Sequence, residues 1–277
     1  MAKASGLLTV SDTDTAAEQL RSSSALTFAR SMFHAAEAKE LFEHEFTFAS
    51  AVSAYYSIFH LGAVLLLAYW SHPSPPGDPH AAIRSKLEKN WVKRGSRILS
   101  NGKQYLSDPA QAIDHNDVPL FLEREAPEIF AALGRRDRPG TLRDMREFVS
   151  YAPRMLNDGR MNVLYSGCQY EAREFRLLLD KHLNRLDVLF CDAAAWIKRG
   201  CIEVHSRLLS GDFVLFEFAE LRSYHPQSVA KRAFGIYRFL CEQAGLDWRI
   251  YPRDPETWHT DEARQHQRYA ETIQSLT

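Results

Sequence analysis

The stretch of residues 49–70 reads ASAVSAYYSIFHLGAVLLLAYW. Its polar positions Ser50, Ser53, Ser57 and His60 recur every three to four residues. The remaining apolar positions therefore wrap most of a helical cylinder, the pattern of a helix buried on several sides. Residues 58–70 form an apolar run of 13 residues that His60 and Gly62 interrupt. A membrane span needs about 20 apolar residues, so the stretch reads as a core helix and no membrane partner is expected.

Upstream, residues 25–43 place Leu26, Ala29, Phe33, Ala36 and Leu41 near one face, an amphipathic helix that runs back along 49–70. The joint at 44–47 is short, and two long helices joined so closely pack as an antiparallel hairpin, the unit of a bundle. Residues 11–21 predict a separate short helix capped by Ser11 or Asp12. After Trp70 the sequence SHPSPPGDPH holds four prolines and a glycine and predicts an exposed loop. Further helices are expected over 80–93, over 118–133 behind Asp117 as N-cap, and over 141–149, closed by Pro153 and Gly159. Residues 96–116 show no clean period and predict an irregular insertion. Residues 170–198 keep a 3.6-residue period through Phe175, Leu179, Leu183, Leu186, Phe190 and Ala194, predicting a second long helix that Gly200 ends. Beyond it, helices are expected over 228–244 and 260–275, while 212–220 fits strand or helix equally. The expected class is all-α, an antiparallel helical bundle over 24–200 with an N-terminal segment over 1–23 and a mostly helical C-terminal extension over 201–277.

Composition narrows the function classes. The chain has 277 residues, 45% hydrophobic, and its 34 basic and 35 acidic residues nearly cancel. No global polybasic field announces a nucleic-acid partner. Residues 1–25 have no apolar stretch behind a basic start, so a cytoplasmic location is expected. The cysteines at 168, 191, 201 and 241 lack CxxC spacing and read as reduced, buried small hydrophobes, with no metal site and no cofactor expected. Gly-rich phosphate loops, GxSxG elbows and HExxH motifs are absent. His34, Glu37, Glu40 and His44 have helical metal-site spacing but no matching Glu-x-x-His elsewhere, so they read as a charged face. Tyr55, Tyr56 and His60 read as packing and hydrogen-bonding anchors.

The hairpin resembles a known family. The pattern A-x-x-A-Y-Y-x-x-F-H, here Ala51, Ala54, Tyr55, Tyr56, Phe59 and His60, is similar to the HEPN family of helical domains, as are the arginine helix LRDMREFVSY at 142–151 and the Ala- and Leu-rich helix at 171–196. The resemblance covers residues 24–198. It implies an RNA-linked effector of toxin–antitoxin or phage-defence type, or a non-catalytic helical subunit that dimerises or binds a partner protein. The family's catalytic members are metal-independent endoribonucleases that act as dimers through an Arg and a His with four to six residues between them. In that chemistry His moves protons and Arg stabilises charge on the phosphate.

Three such spacings occur, at Arg176 and His182, Arg199 and His205, and Arg253 and His259, and random placement gives about three. Arg199 and His205 straddle a helix end, so they are one candidate pair. The arginine helix offers Arg146 and Tyr151 instead of an Arg/His pair, although a phenol with a pKa of about 10 is a poor base near pH 7. Arg135, Arg136, Arg138, Arg143, Arg154 and Arg160 form a basic cluster dense enough to line an RNA-facing groove. A homodimer, RNA and an antitoxin or defence-complex subunit are the expected partners. Tyr105, His115, Asn116 and Asp117 are polar candidates that nothing in the sequence assembles.

Overall fold

The protein is seen in a computed structural model that describes residues 10–95, 97–98, 104–105, 108–135, 139–155, 172–209, 218, 221–246 and 275. The class is all-α. The described helices are α1 (Val10–Glu43), α2 (Thr47–Trp70), α3 (Ala81–Gly95), α4 (Asp117–Glu125), α5 (Pro127–Leu133), α6 (Leu142–Met155), α7 (Ala172–Leu183), α8 (Leu186–Gly200), α9 (Ile202–Leu209) and α10 (Gln227–Gln243). Short 3-10 turns lie at Pro109–Ala112 and Arg222–Tyr224, and a two-residue antiparallel ladder pairs Arg97 with Tyr105 and Ile98 with Gln104.

The hairpin of α1 and α2 is the frame. Ala29, Ala35, Ala36 and Ala38 on α1 and Ala51 and Ala54 on α2 are all fully buried, and their small side chains let the two backbones approach. Serines from the same stripe then bond across the seam: Ser31 donates to the Ser57 carbonyl at 2.7 Å and Ser50 to the Ala38 carbonyl at 2.7 Å. Each such bond contributes about 1 kcal/mol net, and it satisfies a hydroxyl that would otherwise be costly to bury. The most apolar 18-residue window of α2 is 83% buried within the protein, so its apolar surface is used by the protein's own core.

The other helices pack around this frame. α4 crosses α2 at Gly62, where a Cβ would fall 2.5 Å from Val118 Cγ1 and 2.7 Å from Leu122 Cδ1. Only a glycine admits so close a crossing. α6 and α8 also lie on α2, and α10 lies on α1. Lys39 binds Asp187 at 2.9 Å, tying α1 to α8, and Arg232 binds Glu43 at 2.6 Å, tying α10 to α1.

Several boundaries differ from the sequence expectations. Residues 11–21 do not form a separate helix; α1 is one helix of 34 residues and crosses position 24 without a break. The helix expected over 118–133 is two, because Pro127 drives Ala126 out of helical geometry, to φ −145° and ψ 71°. α6 continues through Pro153 to Met155. The long helix over 170–198 breaks at a turn of Asn184 and Arg185. Gly245, at φ 70°, follows the end of α10 in the left-handed conformation. Residues 260–275 apart from Ser275, and 212–220 apart from the buried Phe218, lie outside the described residues.

Candidate functional site

Tyr55, Tyr56, Phe59 and His60 lie on one face of α2, at spacings of one, four and five residues. Over this face sits the loop before α4. The loop is braced in a specific way: Asp114 Oδ1 accepts from the backbone N–H of Asn116 at 2.8 Å and of Asp117 at 3.1 Å, while the Asp114 N–H donates to Asp117 Oδ2 at 3.2 Å. Lys86 from α3 bridges both carboxylates at 2.6 Å. Burial opposes the charge on Lys86, but its bonds to Asp114 and Asp117 outweigh that and raise its pKa. Asp114 is held below the usual carboxylate range because the Lys86 and backbone bonds outweigh its burial, whereas burial pushes Asp117 up. The preceding turn is fastened to α1, where Asp108 pairs with Arg30 at 3.7 Å and accepts from Ser23.

His115 is the residue this brace presents. Its ring lies 4.5 Å from that of Phe59, and its Nδ1 shares a 2.9 Å hydrogen bond with the Tyr55 hydroxyl. From the opposite side α6 brings two arginines. Arg146 stacks over Tyr55 at 5.5 Å and Tyr56 at 6.0 Å, and it donates to the Tyr56 hydroxyl at 3.5 Å. Arg143 pairs with Glu147 at 3.2 Å and reaches the His115 carbonyl at 3.5 Å and Asn116 Oδ1 at 3.4 Å. Burial, followed by the charges of Arg146 and Arg143, lowers the His115 pKa, so the ring is neutral near pH 7. Burial raises the Tyr55 phenol to about 12, with both arginines opposing, and it stays protonated.

Three histidines run along this face. His60 stacks on His34 at 5.4 Å, and burial, with the charges of His34, Arg30 and His115, pulls its pKa to about 3. His34 in turn bonds Glu37 at 3.4 Å, which together with the Ser53 hydroxyl at 3.0 Å keeps the Glu37 carboxyl ionised against its partial burial. The charged face expected at His34 and Glu37 is thus a hydrogen-bonded polar margin of the site.

The residues singled out from the sequence are distributed as follows. Arg146 and Arg143 are in the site. Tyr151 and Arg154 belong to α6, but their side chains, like Arg136, Arg138 and Arg160, lie outside the described residues. Arg135 is exposed, stacks over Phe130 and pairs with Glu123. Arg199 is exposed at the end of α8 and lines a cavity of about 610 Å³, whereas His205 is buried in α9, where desolvation lowers its pKa. Arg176 lies over the Phe42 ring, and His182 bonds the Gly140 carbonyl at 2.9 Å, so this spacing match is divided between two surroundings. Arg253 and His259 lie outside the described residues.

His115 is the candidate residue that motif spacing does not single out. Its signal is the run Asp114-His115-Asn116-Asp117, whose flanking Asp side chains bond the local backbone and fix a turn. The assembled group contains the Arg146 guanidinium and the Glu147-paired Arg143 guanidinium for an anion, a neutral imidazole for a proton and the half-buried Tyr56 ring for a planar base. Compared with known proteins, the chain matches no family model, no curated protein and no solved structure.

Proposed function

We propose that this chain is a HEPN-like, RNA-directed effector of toxin–antitoxin or phage-defence type, a metal-independent endoribonuclease whose working group is His115 with Arg146, Arg143 and Tyr55. The observation that carries this reading is the convergence of an Arg pair and a neutral His on one aromatic face. Arg146 and Arg143 would neutralise a phosphodiester, and Tyr56 would stack a base. His115 Nε2, the ring nitrogen not bonded to Tyr55, would take the proton from the ribose 2′-hydroxyl. The 2′-oxygen then bonds phosphorus, the bond to the 5′-oxygen breaks, and the same proton returns to that leaving oxygen. The products are a 2′,3′-cyclic phosphate and a 5′-hydroxyl, and no metal enters the balance.

The test is incubation of end-labelled tRNA and mRNA with purified protein in EDTA, with analysis of the product termini. Cleavage to cyclic phosphate ends that is lost in His115→Ala and Arg146→Ala supports the reading. Absence of cleavage, or full cleavage by His115→Ala, overturns it.

A second reading, a non-catalytic subunit that dimerises or binds a partner protein, is favoured by one observation. Phe46 and Phe48 at the hairpin tip are 62% and 54% exposed, and Leu177 on α7 is 62% exposed. Arg176 on α7 pairs with Glu45 of the same tip at 3.8 Å. Sedimentation of Phe46→Glu and Phe48→Glu beside the unaltered chain tests it; an oligomer that survives both changes removes this patch from consideration.

A further inference from the structure

A second cluster of chemistry-bearing side chains lies at a corner where three helix ends meet. His72 follows the C-terminus of α2, Cys201 is the residue between α8 and α9, and Glu203 is in the first turn of α9. One ligand atom from each lies within 4.8 Å of both others, and Cys201 Sγ is 3.7 Å from Glu203 Oε2. Two ligands on one tetrahedral zinc ion stand about 3.5 Å apart when the Zn–S and Zn–O bonds have ordinary lengths, so a pair at the 4.8 Å limit closes by about 1.3 Å to complete the site.

Two independent observations point to a ligand here. The Nε2 atom of His72 is fully enclosed, yet it meets no hydrogen-bond partner among the described residues. An enclosed imidazole nitrogen without a partner is costly unless something binds it. In addition, His72 and Cys201 both line the 610 Å³ cavity, so the cluster borders space that water can occupy. The backbone is also prepared. Arg84 donates to the carbonyls of Tyr69 at 3.2 Å, Trp70 at 3.1 Å and His72 at 2.7 Å, and its own charge is held by Asp78 at 3.1 Å. The Cys201 N–H is fixed to the Ile197 carbonyl at 2.6 Å. Two ligands thus ride on pinned main chain.

We propose that His72, Cys201 and Glu203 bind a zinc ion through one nitrogen, one sulfur and one oxygen, with water as the fourth ligand on the cavity side. Thiolate and imidazole together select zinc over the hard cations magnesium and calcium. Three protein ligands with one exchangeable position is the arrangement of reactive rather than closed structural zinc. The ion would also join the end of α2 to the α8–α9 corner, segments 129 or more residues apart in sequence. This site is separate from His115 and does not depend on the ribonuclease reading.

The experiment uses the full chain, stripped with EDTA, desalted and titrated with Co²⁺ and then Zn²⁺. The expected result is one Co²⁺ per chain, with a thiolate-to-cobalt charge-transfer band and the intense visible bands of a four-coordinate site, all displaced by Zn²⁺. Cys201→Ser should lose the charge-transfer band, Cys191→Ser should keep it, and His72→Gln and Glu203→Ala should each bind at least tenfold more weakly. Glu203 is exposed, so its variant leaves the fold intact, which circular dichroism checks. Absence of saturable binding, a charge-transfer band that persists in Cys201→Ser, or unchanged affinity in Glu203→Ala each overturns the proposal.

Discussion

The hydroxyl of Tyr55 and Nδ1 of His115 meet at 2.9 Å, although the residues are 60 apart in sequence. The bond joins the most buried aromatic of the core helix to an imidazole on a surface loop, so the scaffold directly orients that imidazole. His115→Ala should lower RNA cleavage by about 10²- to 10⁴-fold, the usual worth of a positioned acid–base group. Tyr55→Phe keeps the ring and removes only the orienting bond, so it should reduce cleavage less than His115→Ala while costing about 1 kcal/mol of stability. Single-turnover assays with urea denaturation of the same variants separate the two effects.

Lys86 never touches His115, yet it neutralises Asp114 and the buried Asp117 that shape its loop. Lys86→Met should cost about 1–3 kcal/mol, because a buried carboxylate loses its partner. It should also weaken cleavage, since the turn that presents His115 loosens. Equal cleavage rates in the variant and the unaltered chain would show that the brace does not position the histidine.

Gly62 is where α2 and α4 cross most closely. Gly62→Ala places its methyl inside contact distance of Val118 and Leu122 and should destabilise the fold by about 1–3 kcal/mol despite the better helix propensity of alanine. Urea denaturation checks this; a gain in stability would mean that α4 can retreat without loss of packing.

His60 is neutral in the folded protein, with its pKa near 3 against about 6.5 in an unfolded chain. Below about pH 6.5 the unfolded state binds a proton that the folded state refuses, so stability is full above that pH and is lost as pH falls toward 3. The slope from this residue reaches about 1.4 kcal/mol per pH unit. His60→Phe removes one titrating ring and should flatten the denaturation free energy between pH 6 and 4 by close to one proton. An unchanged slope in that variant would assign the pH dependence to other groups, His115 and His182 first, since both are also lowered by burial.

The parts of the fold that could be read in advance were those written in local pattern. The serine and alanine stripe from Ser50 to Ser57 gave the buried helix and its close partner, and the short joint at 44–47 gave their antiparallel packing. The break at Asn184 and Arg185 was not legible, because Leu183 and Leu186 keep the apolar phase across it. The break at Ala126 was written in Pro127, but the continuing apolar residues Ile129 and Phe130 hid it.

The helical class and the core hairpin are legible in the sequence, since they follow from side-chain periodicity within single segments and a short joint. Which polar side chains meet depends instead on how distant segments pack. His115 stands in a segment without period and gains Tyr55, Arg143 and Arg146 from two different helices. Cys201 reads as a lone buried thiol until the end of α2 brings His72 to it across 129 residues. Burial and charge at these two places are sums over neighbours from distant segments, and no window of sequence contains all the terms.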